Sequence, residues 1–413
     1  MDVYQLRSLV KEHGAPGVVR IVTDLLEGRK LPNGTTYKLE PRQFSLKALW
    51  EGLVGSITAT LDNPVWREAA PGALDPTGFP SITERLISNV TIAAYTNRGG
   101  LADQLVPNST EPKTLTERIT GFTMPEGPKS ILPAEPYPAV GFGEKYVTFQ
   151  QAIDNKKEGM LIAVTEEAIR FDQTGNLLRQ AEMIGDTLQT ERERRTVRAI
   201  LGIGKDSGTV LDNVFFPTDV DTALYRASTN NLRTNAAPIF TSVGQTSSSV
   251  LVDWTDFQEV LTVHAQNITD DRQVGTGRPI VWTPDTVLVP VALLATAANI
   301  INSTNVTMIS FGANTAAQTP EIRANDTNPM RALFGGSLPM PMASPYVDEV
   351  SSTMWVVYDR RRAFLRVNIF PFATFRAPAN WGWDRDIVTA VRVREWSRVV
   401  ALDFRQSIRN NGA

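Results

Sequence analysis

A helical period in the hydrophobic pattern begins near Thr174 and holds to about Leu201. Apolar or small side chains recur three and four positions apart, which is typical of a helix with one buried stripe. They are Leu177, Leu178, Ala181, Ile184, Gly185, Leu188, Thr196, Val197, Ile200 and Leu201. Thr174 or Asn176 is the expected cap, and Gly202 and Gly204 are the expected stop. At 1.5 Å per residue the helix would be roughly 40 Å long, so we predict that it forms the backbone of its domain.

The chain before this helix has an extended pattern. Residues 121–140 contain five prolines and are incompatible with a helix. Strand-like sequence follows at 145–152, then a polar turn at 154–159 and the apolar run MLIAV. An arm without a core of its own suits contact with neighbouring subunits better than it suits a catalytic pocket.

The rest of the N-terminal part is expected to be mostly helical. Short helices separated by turns are predicted over about the first 55 residues, with Pro16 starting the second and Ser45 capping LKALWEGLVG. A loop is expected between Asn63 and Pro80, and a strand over 86–96.

The C-terminal half alternates between helix and strand. Residues 205–250 are polar and favour loops with short strands. The later predictions are the helix DWTDFQEVLTVHAQ, the strands PIVWT and TVLVP, the helix ALLATAANIINS, a loop over 302–330, and strands at 353–359 and 363–370. The clearest strand pattern is TAVRVREWSRVVALDF, where Val391, Val393 and Trp396 alternate with Arg392, Arg394 and Arg398.

Charge and composition exclude several classes of protein. With 41 basic and 44 acidic side chains the net charge is −3, whereas a dedicated nucleic-acid binder has a basic excess. The chain has no cysteine, which excludes disulfides, thiol catalysis and thiolate metal sites. No secretory signal is visible, and the longest apolar stretch, 287–301, is too short to cross a bilayer. We expect a soluble protein made in the cytoplasm, with no membrane partner.

Motifs that resemble nucleotide sites lack essential parts. GIGKDSG at 202–208 has Ala199 where a phosphate-binding loop needs its first glycine, and Asp206 where it needs Ser or Thr. GFGEKY at 141–146 lacks the third glycine of a dinucleotide fingerprint. Both are therefore interpreted as ordinary turns.

Candidate catalytic side chains are equally isolated. Ser8 and Lys11 have the spacing of a serine acyl enzyme without its companion motifs. His13 and His264 have no partner motif, and we expect His264 to be a core or surface residue. We predict no catalytic, cofactor-binding or metal site and no enzymatic activity.

Two groups of charged residues are candidate contact sites. Glu191 is spaced to pair with Arg194 and Arg195 at the end of the long helix. Arg360, Arg361 and Arg362 lie between two predicted strands. This second group is interpreted as a surface turn, or alternatively as a contact with phosphate or with an acidic patch on a neighbouring subunit.

In the order of its elements the chain resembles the major capsid proteins of tailed bacteriophages. TEEAIRFDQTGNLLRQAEMIGDTLQTERER at 165–194 is similar to the junction of loop and spine helix in that family. GTGRPIVWTPDTVLVPVALLATAANII at 275–301 and NPMRALFGGSLPMPMASPYVDE at 328–349 resemble parts of the axial domain. WDRDIVTAVRVREWSRVVALDFRQSIR at 383–409 is similar to the closing strands, so the resemblance covers most of residues 110–409.

The resemblance implies an α+β fold, the tailed-phage major capsid fold, with an N-terminal arm, an extended β-loop, a peripheral domain with a long spine helix, and an axial α/β domain. The implied parts are 1–110, the arm and the start of the peripheral domain; 111–165, the loop; 166–215, the spine helix; 216–375, the axial domain; and 376–413, the closing strands. The resemblance also implies that copies assemble as hexamers and pentamers into an icosahedral virion capsid around double-stranded DNA, in the host cytoplasm.

Further partners implied are a portal, scaffolding or cement proteins, and packaged DNA held by weak non-specific contact; no cofactor is implied. An extended loop gains most by packing on another subunit, so we expect intersubunit contacts from its apolar residues Ile131, Leu132, Tyr137, Val140, Phe142 and Tyr146. Contacts are also expected from Glu191, Arg194, Arg195 and Arg198 on a solvent-facing part of the spine helix.

Some members of the family are cleaved near the N-terminus, and others form Lys–Asn cross-links. We expect no processing here, with residues 1–55 an ordered arm. Lys129, Lys145, Asn410 and Asn411 lie in the relevant regions, but nothing marks them as reactive.

Two alternatives remain open. One is a bacterial nanocompartment shell of the same fold, although those shells use shorter chains. The other is a carboxylate-dependent hydrolase using Asp253, Asp256, Asp270 and Asp271, which predicts a concave pocket of carboxylates with shifted pKa values.

Overall fold

The structure, a computed structural model, describes residues 12–13, 17–18, 20–26, 45–54, 78–112, 118–122, 132–136, 147–152, 157–203, 214–216, 219–222, 225, 232–233, 250–267, 280, 282–310, 321–334, 336–376 and 386–411. The helices in this part of the chain are α1 (Leu46–Leu53), α2 (Gly78–Asn97), α3 (Ala102–Leu105), α4 (Glu166–Arg170), α5 (Thr174–Ile200), α6 (Trp254–Asn267), α7 (Leu294–Asn302), α8 (Met330–Leu333) and α9 (Pro345–Asp348). The strands are β1 (Ser109–Thr110), β2 (Arg118–Phe122), β3 (Val147–Ala152), β4 (Glu158–Thr165), β5 (Val214–Phe216), β6 (Asp219–Thr222), β7 (Leu232–Arg233), β8 (Thr286–Val289), β9 (Asn305–Ser310), β10 (Glu321–Thr327), β11 (Met340–Ala343), β12 (Trp355–Tyr358), β13 (Phe364–Arg376), β14 (Ile387–Ala401) and β15 (Ser407–Asn410).

The long helix is confirmed as α5, within a residue of its predicted ends. Leu177, Ala181 and Val197 of its apolar stripe are buried, as the periodicity requires. The helix ends where Gly202 adopts a φ of +68°, a left-handed conformation that glycine tolerates and other residues disfavour. The predicted cap of α1 is also confirmed, because the Ser45 hydroxyl accepts a hydrogen bond from the Ala48 N–H at 3.1 Å.

The chain forms two compact units, each assembled from three segments. The first unit contains Met1–Gly100, Lys156–Arg192 and Phe370–Ser397; the second contains Leu101–Asn155, Glu193–Ile369 and Arg398–Ala413. The long elements α5, β13 and β14 therefore contribute residues to both. The domain division expected from the sequence stays a prediction.

In the first unit, a sheet packs against helices. Strand β4 pairs antiparallel with β14, from Thr165 opposite Ile387 to Glu158 opposite Glu395. The inward residues Ile162, Val164 and Val391 join one buried cluster with side chains of α1, α2, α4 and α5. On the outward face of β14, Arg392 is exposed and Arg394 is partly exposed, as the alternation in the C-terminal sequence predicted, whereas Arg398 is buried.

The predicted strand at 86–96 is wrong, because these residues belong to helix α2. The β-branched residues of this segment favour a strand locally, but burial decides the conformation. Phe79, Ile82, Leu86 and Val90 are all buried in the core of the first unit, at the three- and four-residue spacing of a helix.

The core of the second unit lies around a five-stranded sheet of order β11-β8-β12-β15-β7. Strands β8 and β11 are parallel neighbours, and α7, which connects them along the chain, packs on β11. Strand β12 runs antiparallel to both β8 and β15. This sheet is buried between two apolar clusters, which explains the near-continuous apolar sequence of β8 and β12.

Two predictions for this unit need correction. The expected loop at 302–330 contains the antiparallel pair β9 and β10, whose polar sequence conceals the strands. The expected strand PIVWT is absent at 280 and 282–283. There the Trp282 side chain turns into the core, and its indole N–H donates to the Gln406 carbonyl at 3.2 Å.

A further sheet lies at the base of the predicted loop. Its strand order is β2-β3-β5-β6, and Arg118 of β2 is opposite Ala152 of β3. The predicted strand at 145–152 is thus confirmed over 147–152. The polypeptide between β2 and β3 is the proline-rich segment 123–146.

Candidate assembly surfaces

The described part of the proline-rich segment is a turn at 132–136, closed by two hydrogen bonds. The Leu132 N–H donates to the Glu135 carboxylate at 2.9 Å, and the Glu135 N–H donates to the Leu132 carbonyl at 3.0 Å. Leu132 itself is 69% exposed. Of the six predicted loop contacts it alone lies in the described residues; Ile131, Tyr137, Val140, Phe142 and Tyr146 lie outside them.

The predicted contact residues near the end of α5 are engaged within the chain. The Glu349 carboxylate binds both Arg194 and Arg198, with N–O distances of 3.0 and 3.1 Å. Arg195 is buried, and Arg198 and Glu191 are partly buried, so the expectation of a solvent-facing surface is not met at Arg195. An intersubunit role for the four residues stays a prediction.

Two buried side chains hold the carboxyl end of α5. The Tyr225 hydroxyl donates to the Ile200 carbonyl at 2.7 Å, and the Arg409 guanidinium donates to the Leu201 carbonyl at 2.5 Å. Arg409 also lies 4.9 Å from the centre of the Tyr225 ring. Burial raises the pKa of Tyr225 to about 12, so the hydroxyl stays a proton donor. A cation and a donor at this end match the partial negative charge of the last carbonyls.

The three consecutive arginines form the predicted surface turn between β12 and β13. Arg360 pairs with Asp285 at 2.8 Å, and Arg362 lies 3.7 Å from Asp359. Arg361 is exposed and makes no ion pair within the described residues. The turn therefore presents less free positive charge than its sequence indicates.

An aromatic–arginine face lies on the outer side of the sheet in the first unit. It consists of Leu161, Phe370, Phe375, Arg392 and Arg394. The Arg394 guanidinium lies 4.7 Å from the ring centre of Phe370 and 4.4 Å from that of Phe375, which are cation–π distances. Arg392 lies 5.6 Å from the Phe375 ring and directly opposite Leu161 of β4.

The outward direction of Arg392 and Arg394 follows from the period-2 pattern and is confirmed. The aromatic half of this face was missed by the sequence prediction. Strand β13 was expected to end at residue 370, whereas it continues to Arg376 and brings Phe375 beside β14. The signal was the second apolar run FPFATF, which Pro371 made unlike a strand.

An acidic corner lies where β4 passes into α4 and α5. It consists of Glu166, Glu167, Phe171 and Asp172. The Thr165 hydroxyl caps α4 by accepting from the Ala168 N–H at 3.4 Å, and the Phe171 side chain is 70% exposed. Hydrogen bonds from the Glu167 backbone and the Thr165 side chain hold the pKa of the Glu167 carboxyl below its ordinary value.

His264 is a core residue, one of the two outcomes expected for it. The side chain is buried, stacks on Trp282 at a ring-centre distance of 4.3 Å, and its Nε2 donates to the Arg405 carbonyl at 2.9 Å. Burial lowers the pKa of His264 to about 4, so the ring is neutral at pH 7. A neutral imidazole held in this way contributes to packing.

Two of the carboxylates proposed for a hydrolase, Asp253 and Asp256, accept backbone hydrogen bonds at the amino-terminal end of α6. The Asp256 carboxylate accepts from the Val252 N–H at 2.7 Å and from the Asp253 N–H at 3.0 Å, and Asp253 accepts from the Thr255 N–H at 2.8 Å. These are capping contacts. Asp270 and Asp271 lie outside the described residues. Across the described ranges there is no group of three His or acidic residues arranged to hold a metal ion.

Among the helices in the described part of the chain, none combines the length and the apolar character needed to span a membrane.

Several solved structures are similar to this chain at low sequence identity. The virus-like particle from Pyrococcus furiosus shares 9% identity over 78% of this chain and 96% of that chain, with a TM-score of 0.40. The structure from Gordonia phage Cozz shares 11% identity over 76% of this chain and 86% of that chain, with a TM-score of 0.40. The SrpI encapsulin complex from Synechococcus elongatus PCC 7942 shares 12% identity over 74% of this chain and 84% of that chain, with a TM-score of 0.36.

No curated protein sequence matches the chain significantly. A family model described as "Phage capsid protein" matches residues 150–409, which is more than half of the chain. That span begins within β3 and ends within β15, and it includes the long helix α5 and the strands β8 and β14. The chain therefore belongs to the phage capsid protein family, and its function is that of a capsid shell protein.

Proposed function

We propose that copies of this chain form hexamers and pentamers that tile an icosahedral shell around double-stranded DNA. The observation that carries this proposal is the match of residues 150–409 to a phage capsid family. A shell of this kind is held by many modest interfaces, each too weak alone to hold two copies together. In the plan we propose, residues 166–215 and 376–413 build a peripheral domain and residues 216–375 an axial domain.

The segment 111–165 is proposed to be the loop that contacts a neighbouring copy. Its base is the antiparallel pair of β2 and β3, and the turn at 132–136 exposes an apolar side chain, Leu132. Burial of such a side chain against another copy removes apolar surface from water. Contacts in the assembled shell then offset the conformational entropy that is lost when the segment is ordered.

The near-neutral chain suits a container for DNA. A net charge of −3 gives little general attraction to phosphate, so a packaged duplex can slide during filling and release. We propose weak, non-specific contact with the packaged DNA. A portal and scaffolding or cement proteins are the further partners that such a shell requires, and the assembled particle forms in the host cytoplasm.

The test is expression of the chain, negative-stain microscopy, and analysis of particle content after nuclease treatment. We expect closed shells in the presence of the phage packaging components, with nuclease-protected DNA inside. Shells that hold a protein cargo and no DNA would indicate a nanocompartment instead. Monodisperse monomers under all assembly conditions would contradict the proposal.

A matched pair of variants tests the loop. Leu132→Asp places a charge on an exposed turn, so the subunit should fold normally but lose shell formation. Val252→Asp is the control, because Val252 is 65% exposed in the same unit and precedes α6, where an acidic residue is tolerated. Equal shell yields for the two variants would contradict the role of Leu132.

A further inference from the structure

We propose that the aromatic–arginine face of one copy binds the acidic corner of a second copy in a head-to-tail contact. This inference rests on the proposed function, because it needs copies that assemble. It names both surfaces of one interface, with the Arg392 and Arg394 guanidiniums receiving the Glu167 carboxylate and with Phe171 packing against the exposed rings.

The arginines of the face lack an anionic partner. Within the described residues neither Arg392 nor Arg394 makes an ion pair, and the buried Nε of Arg394 has no hydrogen-bond partner. Stacking on Phe370 and Phe375 orients the planar guanidinium, and because its Nε is buried, the edge formed by its two Nη groups is the one that can meet a partner. Such an edge matches a carboxylate in a bidentate manner, and the stacking reduces the entropy lost on binding.

The acidic corner has the complementary chemistry. Glu166 is paired with Arg170 at 3.3 Å, and Asp172 accepts a hydrogen bond from the Ser45 hydroxyl at 2.7 Å, so both carboxylates are engaged. Glu167 is exposed and forms no ion pair among the described residues, although its carboxylate accepts hydrogen bonds from its own backbone N–H and from the Thr165 hydroxyl. One carboxylate that makes no ion pair therefore lies near one exposed aromatic side chain, Phe171, on the same short helix and turn.

The two surfaces cannot meet within one copy. Both belong to the first unit, at opposite ends of the ladder between β4 and β14: Thr165 lies opposite Ile387, and Gly159 lies opposite Arg394. The seven residue steps from 387 to 394 span roughly 23 Å of extended strand. Different surfaces at two ends of one unit produce a heterologous contact, which closes into rings when the rotation permits.

The composition of the face favours a protein over DNA as its occupant. Leu161, Phe370 and Phe375 are 43%, 40% and 37% exposed around the arginines. A duplex offers phosphates to the guanidiniums but little apolar surface to cover the rings. The acidic corner offers both a carboxylate and a phenyl ring.

The experiment uses charge reversal in the full-length chain. Arg394→Glu and Glu167→Arg should each lower the yield of shells by about tenfold or more, because each brings like charges together at a repeated contact. The double variant restores the pair in reversed orientation and should recover most of the yield.

The apolar part of the contact is tested separately. Phe171→Ala should also lower the yield of shells, whereas Met183→Ala, at a 66% exposed side chain on α5, should not. Arg179→Glu, an exposed reversal on α5, is the charge control.

Sedimentation velocity of unassembled subunits gives a second readout. An equimolar mixture of the two single variants should associate more strongly than either variant alone, because each supplies the partner that the other lacks. Unchanged melting temperatures would show that the subunits fold.

If wild-type shells form but neither reversal affects yield or association, the inference fails while the proposed function stands. If wild-type chains form no shells but the mixture associates, the proposed function fails and the contact stands. Normal shells of Arg394→Glu with reduced DNA content would identify the face as a DNA contact and overturn the inference.

Discussion

At the scale of single residues, Gly185 determines how closely two helices approach. A Cβ added there would lie 2.5 Å from the Thr91 carbonyl oxygen and 3.0 Å from the Tyr95 backbone nitrogen, both on α2. Alanine improves helix propensity by up to about 1 kcal/mol, but the overlap involves backbone atoms that cannot move aside cheaply. We expect Gly185→Ala to lower the free energy of unfolding by about 1–3 kcal/mol, measured by urea denaturation of the subunit.

Gly175 provides the control on the same helix. No atom lies within 4 Å of a Cβ built there, so Gly175→Ala should be neutral or should stabilise by up to about 1 kcal/mol. Equal effects of the two substitutions would contradict the close packing of α2 on α5.

His264 gives the fold a defined dependence on pH. Its pKa falls from 6.5 to about 4 on folding, because burial disfavours the charged ring. The unfolded chain then binds the extra proton between these two values, so stability is lost as pH falls from 6.5 towards 4, by at most about 1.4 kcal/mol per pH unit. His264→Gln keeps a donor for the Arg405 carbonyl but does not titrate. The melting temperatures of the two proteins should converge as pH falls through this window; a constant difference would contradict the account.

At the scale of elements, the carboxyl end of α5 depends on a contact distant in sequence. The Tyr225 hydroxyl donates to the Ile200 carbonyl inside the core of the second unit. Tyr225→Phe removes the donor and leaves that carbonyl with one partner fewer, which should cost about 1–2 kcal/mol of stability. Hydrogen exchange should also become faster in the last turn of α5. Unchanged exchange and stability would show that Arg409 and the helix stop suffice at this end.

The elements also show where sequence reasoning succeeds. Helix α5 was predictable because its stripe is long and its stop is a glycine, and β14 because valine and arginine alternate over many residues. Helix α2 was not, since the β-branched residues of LISNVTIAAYT favour strand until the burial of Ile82 and Val90 is known. The strands β9 and β10 are polar and lack a recognisable pattern.

For the candidate surfaces too, the sequence predicted the features set by local pattern and missed those that depend on contacts distant in sequence. Arg392 and Arg394 could be assigned outward from alternation alone, but Phe375 reaches them only through strand pairing. The salt bridges from Glu349 to Arg194 and Arg198 join residues about 150 positions apart, and local sequence patterns carry no information at that separation.

At the scale of the whole molecule, the chain forms two compact units, and helix α5 and strands β13 and β14 contribute residues to both. Exposed apolar and charged side chains occur together on the sheet face and at the acidic corner. This distribution suits a protein whose partners are copies of itself.

A cryo-electron reconstruction of particles made with this chain tests the central claim most directly. We predict closed shells in which copies of this fold occupy rings of six and rings of five, with duplex density inside when the packaging components are present. Particles whose shell density does not fit this chain, or preparations that contain only monomers, would contradict the claim.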